Sequence, residues 1–194
     1  MKTYGTLKLM IAVLLIGFGS TAIAQTYTLN NKASSLSIDG TSNIHDWTIE
    51  AESFTGTITA EFDEGQLKEI ENLEFSVEVE SLESGKGAMN KNTYKALNID
   101  DHKRILYKLK KINDIQNFSG DSYKVKTTGT LEISGTKKDI SLDFDLETTE
   151  NKIILKGEHS LKMTDYGVEP PSAMFGTITT GDSVKIKFET HFNQ

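Results

Sequence analysis

His45 and Asp46 stand side by side in the run Asp39-Gly40-Thr41-Ser42-Asn43-Ile44-His45-Asp46-Trp47, and an imidazole beside a carboxylate is the raw material of a general base. Adjacent residues on a strand point to opposite faces, and no Ser occupies a Gly-x-Ser-x-Gly elbow, so the pair does not read as a catalytic dyad. Turn and strand-entry roles fit better: Asn43 and Asp46 bonding nearby backbone amides, and Trp47, the single Trp, sealing the base of whatever the strands enclose. Asp100-Asp101-His102 groups oxygen and nitrogen donors without the carboxylate spacing of a calcium loop or the His–His pair of a zinc site, and reads as a solvated turn. Ser84-Gly85-Lys86-Gly87 lacks the spacing of a phosphate loop, and Asn117-Phe118-Ser119 matches the glycosylation tripeptide only as chance allows. Lys103-Arg104 with Lys108, Lys110 and Lys111 is the densest basic patch, and reads as a solvated strand edge. The absence of Cys removes thiolate nucleophiles, thiolate metal sites and disulfides together. No catalytic equipment and no metal site is legible.

The chain ahead of these residues is of another kind. Lys2 and Lys8, the apolar run Leu9 to Phe18 and the small-x-small motif Ala22-Ile23-Ala24 read as a secretory signal, Met1–Ala24, with cleavage leaving Gln25 first. The apolar run is short for a membrane span, which needs about 20 residues, so the mature protein is expected to be exported, soluble and not stably inserted in a membrane. No Cys near the cut excludes lipoprotein acylation. With 21 Lys and Arg against 28 Asp and Glu the formal charge is −7, and loss of the signal removes two of the positive charges. Acidity this evenly spread excludes a general nucleic-acid binder, which needs clustered cations. No linker or internal repeat divides residues 25–194, so a single domain is expected.

Period-2 alternation dominates that domain. Phe54, Gly56, Ile58, Ala60 and Phe62 share one face; Phe75 and Val77 alternate with Ser76 and Glu78. Tyr123, Val125, Leu131 and Ile133 share a parity, as do Ile140, Leu142, Phe144 and Leu146, then Ile153, Leu155, Leu161 and Met163, then Val184, Ile186, Phe188 and Phe192. Asp63-Glu64-Gly65, Ser119-Gly120-Asp121, Ser134-Gly135-Thr136 and Thr180-Gly181-Asp182 supply turn chemistry between runs. About eight antiparallel strands with short connections make either a closed barrel or a two-sheet sandwich. Only Gly87 to Leu97 breaks the pattern; Met89, Thr93, Tyr94 and Leu97 share a helical face that could plug a barrel mouth. Strand parity places Leu36, Ile38, Trp47, Ile49, Phe54, Ile58, Phe75, Val77, Ile105, Tyr107, Leu131, Ile133, Leu142, Phe144, Leu155 and Leu161 on the inner wall. Gly56, Ala60 and Gly129 also face inward, either as bulges or as room for a guest, and Met163 and Met174 could line an apolar slot.

Several segments, in order, resemble the YceI-like family of periplasmic polyisoprenoid-binding proteins. They are Ser42-Asn43-Ile44-His45-Asp46-Trp47, Phe54-Thr55-Gly56, Val77 to Gly85 with its Ser81-Leu82-Glu83-Ser84-Gly85 ending, Gly129 to Lys138, and Asp165-Tyr166-Gly167. The chain departs from the family where a Pro usually precedes the strand after the helix, reading Asp101-His102-Lys103-Arg104-Ile105, and where Arg-Asp often opens the helix, reading Met89-Asn90-Lys91. The resemblance implies an all-β, eight-stranded, lipocalin-like antiparallel barrel with a short helical insertion. It also implies binding, transport or storage of a long-chain isoprenoid lipid, a quinone or polyprenyl type, with no other cofactor, no metal and no catalytic residue. The inner-wall residues above, with Met89, Tyr94, Leu97 and Met163, would then contact the bound chain. A homodimer is left open. Two other readings compete: an exported lipid-modifying enzyme with His45 or His159 as base, and a structural or adhesion domain with a filled core.

Overall fold

The computed structural model describes residues 23–149 and 151–194. Most of the expected signal therefore lies outside the described residues. Its last two positions do not: the first strand, β1, runs Ile23–Leu29, pairing Ile23 with Phe62 and Ala24 with Glu61.

The strands that follow are β2 (Ser35–Ser42), β3 (Trp47–Ala51), β4 (Phe54–Asp63), β5 (Gln66–Glu78) and β6 (Leu82–Glu83), then the helix α1 (Gly87–Ala96). After the helix come β7 (Arg104–Ser119), β8 (Ser122–Ile133), β9 (Thr136–Thr149), β10 (Lys152–Lys162), β11 (Ser172–Ala173) and β12 (Ile178–Asn193). One 12-stranded antiparallel sheet contains a closed ring, β1-β4-β5-β7-β8-β9-β10-β12 and back to β1, with β2-β3-β6 continuing from β12. β12 pairs first with β2 and, at Phe192 and Asn193, with β1, so β1 and β2 are two halves of one bent stave. β3 with β4, and β5 with β6, are bent likewise, which makes the wall an eight-stranded up-and-down barrel.

The three bends lie side by side and are stitched together. The Asn31 amide donates to the Glu52 carbonyl and its Oδ1 accepts from the Phe54 amide, while Ser81 Oγ donates to the Ser53 carbonyl. On the other flank Ser34 Oγ donates to the Asn30 carbonyl and accepts from the His191 amide. Backbone groups freed by the bend thus keep partners, as they must when they are not fully solvated.

Alternation on β8 and β9 is as regular as the sequence implies, but β5 and β7 are not simple strands. Register shifts between Thr59 and Ala60 and between Glu61 and Phe62 leave Glu71 and Lys68 of β5 unpaired. These bulges change parity twice, so that Leu73, Ile70 and Leu67 all face inward. β7 has comparable shifts after Leu109, Ile112 and Asn117. Its basic patch is only partly on an edge: Arg104 and Lys108 pair with β5, whereas Lys110 and Lys111 lie past the last β5 rung, where β7 pairs with β8 alone; Lys108 meets Glu74 and Lys110 meets Asp139, each at 2.8 Å. Asp63-Glu64-Gly65 and Ser134-Gly135-Thr136 are tight hairpins, with Glu64, Gly65, Ser134 and Gly135 all at positive φ. Thr180-Gly181-Asp182 is not a turn; it lies within β12, where the register with β2 shifts between Thr180 and Val184.

The helix lies between β6 and β7, where the ring has no strand of its own. Ser84 Oγ and the Ser84 amide both donate to Asn90 Oδ1, at 2.6 and 2.9 Å, and the Asn90 amide donates to Glu83, tying α1 to β6. At its far end Asn98 turns left-handed at φ 51°, with Asn98 N bonded to the Lys95 carbonyl and Ile99 N to the Tyr94 carbonyl. Such a pairing satisfies the last carbonyls of a helix. Ser134 Oγ then donates to the Leu97 carbonyl, so α1 reaches across to the β8–β9 hairpin.

Candidate functional site

The barrel interior divides into two halves. Below the bends it is solid: Tyr27, Ile58, Leu73, Tyr123, Leu146, Ile153, Leu155 and Phe192 are buried almost completely. Polar groups there are paired, with Tyr123 Oη donating to Gln66 and accepting from the Leu67 amide. Phe75 forms the boundary, packing edge-on against Phe192 with ring centroids 5.7 Å apart and also touching open space above.

Above that floor lies a cavity of about 440 Å³ whose surface is almost wholly apolar. The strand ladders stack its wall in rows. Gly157, Phe188 and Leu36 form the lowest; His159, Ile186, Ile38 and Ile49 the next; Leu161, Val184, Gly40 and Trp47 the one above. Val77, Ile105, Tyr107, Leu131, Ile133, Ile140 and Leu142 complete the far side. The size falls within the range of pockets that bury most of a drug-sized ligand, about 300–1,000 Å³.

Aromatic side chains on such a wall could fill this space, and do not. The Trp47 indole lies across Gly40, where a Cβ would overlap its ring, and donates from Nε1 to the Thr41 carbonyl at 2.9 Å. Tyr107 lies across Gly129 in the same way, Phe188 across Gly157, and Phe75 against Gly56. Gly129 stands where the β7–β8 register shifts and lets the Tyr107 ring lie over it, and at Gly56 a Cβ would meet the Glu74 carbonyl and then the Phe75 ring, so neither is an empty site. Trp47 accordingly does not seal the barrel base as expected. It lies flat near the mouth.

Three elements surround that mouth: the β2–β3 tip, α1, and the connection from β10 to β12. Asn43 joins the first to the third, its amide donating to the Thr177 carbonyl at 2.9 Å and its Oδ1 accepting from the Thr179 amide at 3.0 Å. His45 Nδ1 lies 2.8 Å from the Asp46 main-chain oxygen, so the imidazole is held by backbone and not by a carboxylate. In the connection, Asp182 accepts from the Thr164 amide and hydroxyl, fixing the turn that turns Tyr166 and Val168 inward to line the cavity. α1 presents Ala88, Met89, Asn92, Thr93, Ala96 and Leu97.

Of the residues expected at a bound chain, Leu36, Ile38, Trp47, Ile49, Phe75, Val77, Met89, Leu97, Ile105, Tyr107, Leu131, Ile133, Leu142, Leu161 and Met163 line the cavity. Five do not. Ile58, Phe144 and Leu155 belong to the solid half, and Phe54 to a smaller cluster with Val79 and Leu82. Parity identifies the face of a strand but not the level along it, and Ile58 and Leu155 face inward below the cavity; Phe54 shares a rung with Val77 and Ile105, and Phe144 with Gly157 and Phe188, yet both rings pack into their clusters and not against the open space. Tyr94 turns away because its hydroxyl is claimed by the Glu80 carbonyl at 2.9 Å and the Leu82 carbonyl at 3.2 Å. The expectation missed the β12 face, Val184, Ile186 and Phe188, though its alternation was legible. It also missed His159, whose place on the inner face of β10 follows from the parity of Leu155 and Leu161. Burial holds the His159 imidazole below its ordinary pKa and raises the Tyr107 phenol, which Thr127 partly offsets by a hydrogen bond. Among the described residues no group of His, Asp and Glu could hold a metal ion.

A YceI-like domain model matches residues 27–192, all of the barrel but the start of β1 and the last residue of β12. The chain belongs to the YceI-like family. Solved structures agree on the fold at low sequence identity. BcnA of Burkholderia cenocepacia superimposes with a TM-score of 0.66 at 15% identity, over 84% of this chain and 98% of that one. A polyisoprenoid-binding domain from Saccharophagus degradans, implicated in plant cell wall breakdown, gives 0.66 at 15% identity over 86% and 97%. The Campylobacter jejuni YceI protein gives 0.59 at 20% identity over 74% and 82%. A comparison with proteins of curated function finds no match.

Proposed function

We propose that this YceI-like protein binds a long-chain isoprenoid lipid, of quinone or polyprenyl type, and carries or stores it in the periplasm after export. The observation that supports this reading is the 440 Å³ apolar space kept open above a solid floor in one barrel. Each CH₂ transferred from water into such a space contributes about 0.8 kcal/mol, against which stand the costs of ordering the chain. A lining almost free of charge suits a hydrocarbon, and His45, tied to backbone, is not arranged as a base. The S. degradans relative, a polyisoprenoid-binding domain, lends the same reading weight.

The test is mass spectrometry of organic extracts from gently purified exported protein, together with its intact mass. A stoichiometric isoprenoid on a chain beginning at Gln25 is the expected result. Turnover of the lipid would favour an enzyme instead, protein that never carries lipid would overturn the binding reading, and a retained Met1–Ala24 would overturn the export reading.

A further inference from the structure

One row of the inner wall reads His159, Ile186, Ile38 and Ile49 across four neighbouring strands. An apolar residue would complete that row, yet an imidazole stands there, one row above the floor and one below Leu161 and Trp47. Two polar side chains that share the wall, Tyr107 and Trp47, are already engaged, and Tyr166 and Ser172 stand on the connection from β10 to β12. Tyr107 Oη lies 3.1 Å from Thr127 Oγ1, which donates to the Leu142 carbonyl at 2.7 Å, and the Trp47 indole donates to Thr41. Ser42, His45, Lys86, Asn92, Thr93 and Thr180 belong to the mouth. Burial alone acts on the His159 ring, with no described residue bonded to it. The ring is half-buried, and its nitrogens are not sealed from open space, so they remain free to take a partner that enters the cavity.

We propose that His159 is the polar anchor for the ligand, hydrogen-bonding a neutral oxygen, a ring carbonyl or a hydroxyl, carried by the isoprenoid chain and held inside the barrel below its mouth. The inference rests on the lipid-binding reading and sharpens its chemistry. Among the described lining residues the one ammonium is Lys86, at the start of α1, and there is no Arg, Asp or Glu. A phosphate or carboxylate beside His159 would therefore lack a compensating charge. A neutral imidazole serves both neutral groups, since one ring nitrogen donates to a carbonyl and the other accepts from a hydroxyl.

The experiment displaces a fluorescent hydrocarbon probe from the exported protein with a short-tailed prenylated benzoquinone or with squalene, its counterpart without oxygen. The native protein should prefer the quinone. His159→Leu should lose about tenfold in quinone affinity, the scale of one hydrogen bond, and leave squalene unchanged. His159→Gln, which keeps a donor and an acceptor, should restore most of the preference, and the ring ¹⁵N shifts of His159 should respond to the quinone and not to squalene. Undiminished quinone affinity in His159→Leu would overturn the proposal, as would an equal loss of both ligands. Failure of either compound to bind the native protein would overturn the lipid-binding reading and this inference with it.

Discussion

The two halves of this barrel are built from the same strands and treat their interiors oppositely. β8 carries Tyr123 and Val125 into the solid half and Leu131 and Ile133 into the cavity; β10 carries Ile153 and Leu155 into the first and His159 and Leu161 into the second. The alternation does not change between them. Two devices do. In the lower half, bulges on β5 direct Leu67, Ile70 and Leu73 inward, and Tyr27 and Tyr123 stand into the lumen with hydrogen-bonded hydroxyls. In the upper half, rings fold against Gly40, Gly129 and Gly157 and leave the lumen vacant. A barrel of this strand number has an interior of a size that side chains can either fill or leave for one small ligand; here each half takes one option.

That contrast predicts a steep difference between two equivalent truncations on β10. Leu155→Ala opens a hole in close-packed surroundings and should cost about 2–5 kcal/mol in urea unfolding. Leu161→Ala enlarges a space that already exists and should cost less than half as much, while weakening retention of bound lipid. Equal losses of stability would mean that the upper half is packed as tightly as the lower.

Gly40→Ala probes the device itself. The new methyl overlaps the Trp47 indole, and displacing that ring should cost about 1–3 kcal/mol and push it into the lumen. Reduced lipid content with a shifted Trp47 emission is the expected result, and emission is unambiguous because the chain has one Trp. A variant with native emission and native lipid content would show that the glycine does not govern the cavity.

The smallest effect is a pH dependence confined to the upper half. Burial lowers the His159 pKa in the folded state from its ordinary 6.5, so between the two values the unfolded chain binds more protons. Stability is therefore lost as pH falls through about 6.5 toward the folded pKa, and changes little above it on this account. Unfolding free energies of native protein and His159→Leu should diverge only below that point. Parallel curves would assign the acid sensitivity elsewhere.

Alternation on β8, β9, β10 and β12, the hairpin signals at Gly65 and Gly135 and the helix after Gly87 were all legible in the sequence, because strand faces, left-handed turns and helical spacing are local properties. The resemblance of ordered motifs reached the family as well. The bulges at Lys68 and Glu71 were not legible, nor was the continuation of β12 through Gly181, since a register shift is defined by the neighbouring strand and leaves no period of its own. The same limit explains Ile58 and Leu155, whose parity is right and whose level along the barrel depends on how eight staves align, while Phe54 and Phe144 stand on cavity rungs and pack sideways into their neighbours. Tyr94 was misplaced because its hydroxyl answers to carbonyls of Glu80 and Leu82, on a segment it meets only after folding. Residue identity determined which side chains turn inward. Pairing across the sheet decided which of them stack into a solid floor, and which rings fold onto glycines and leave a chamber.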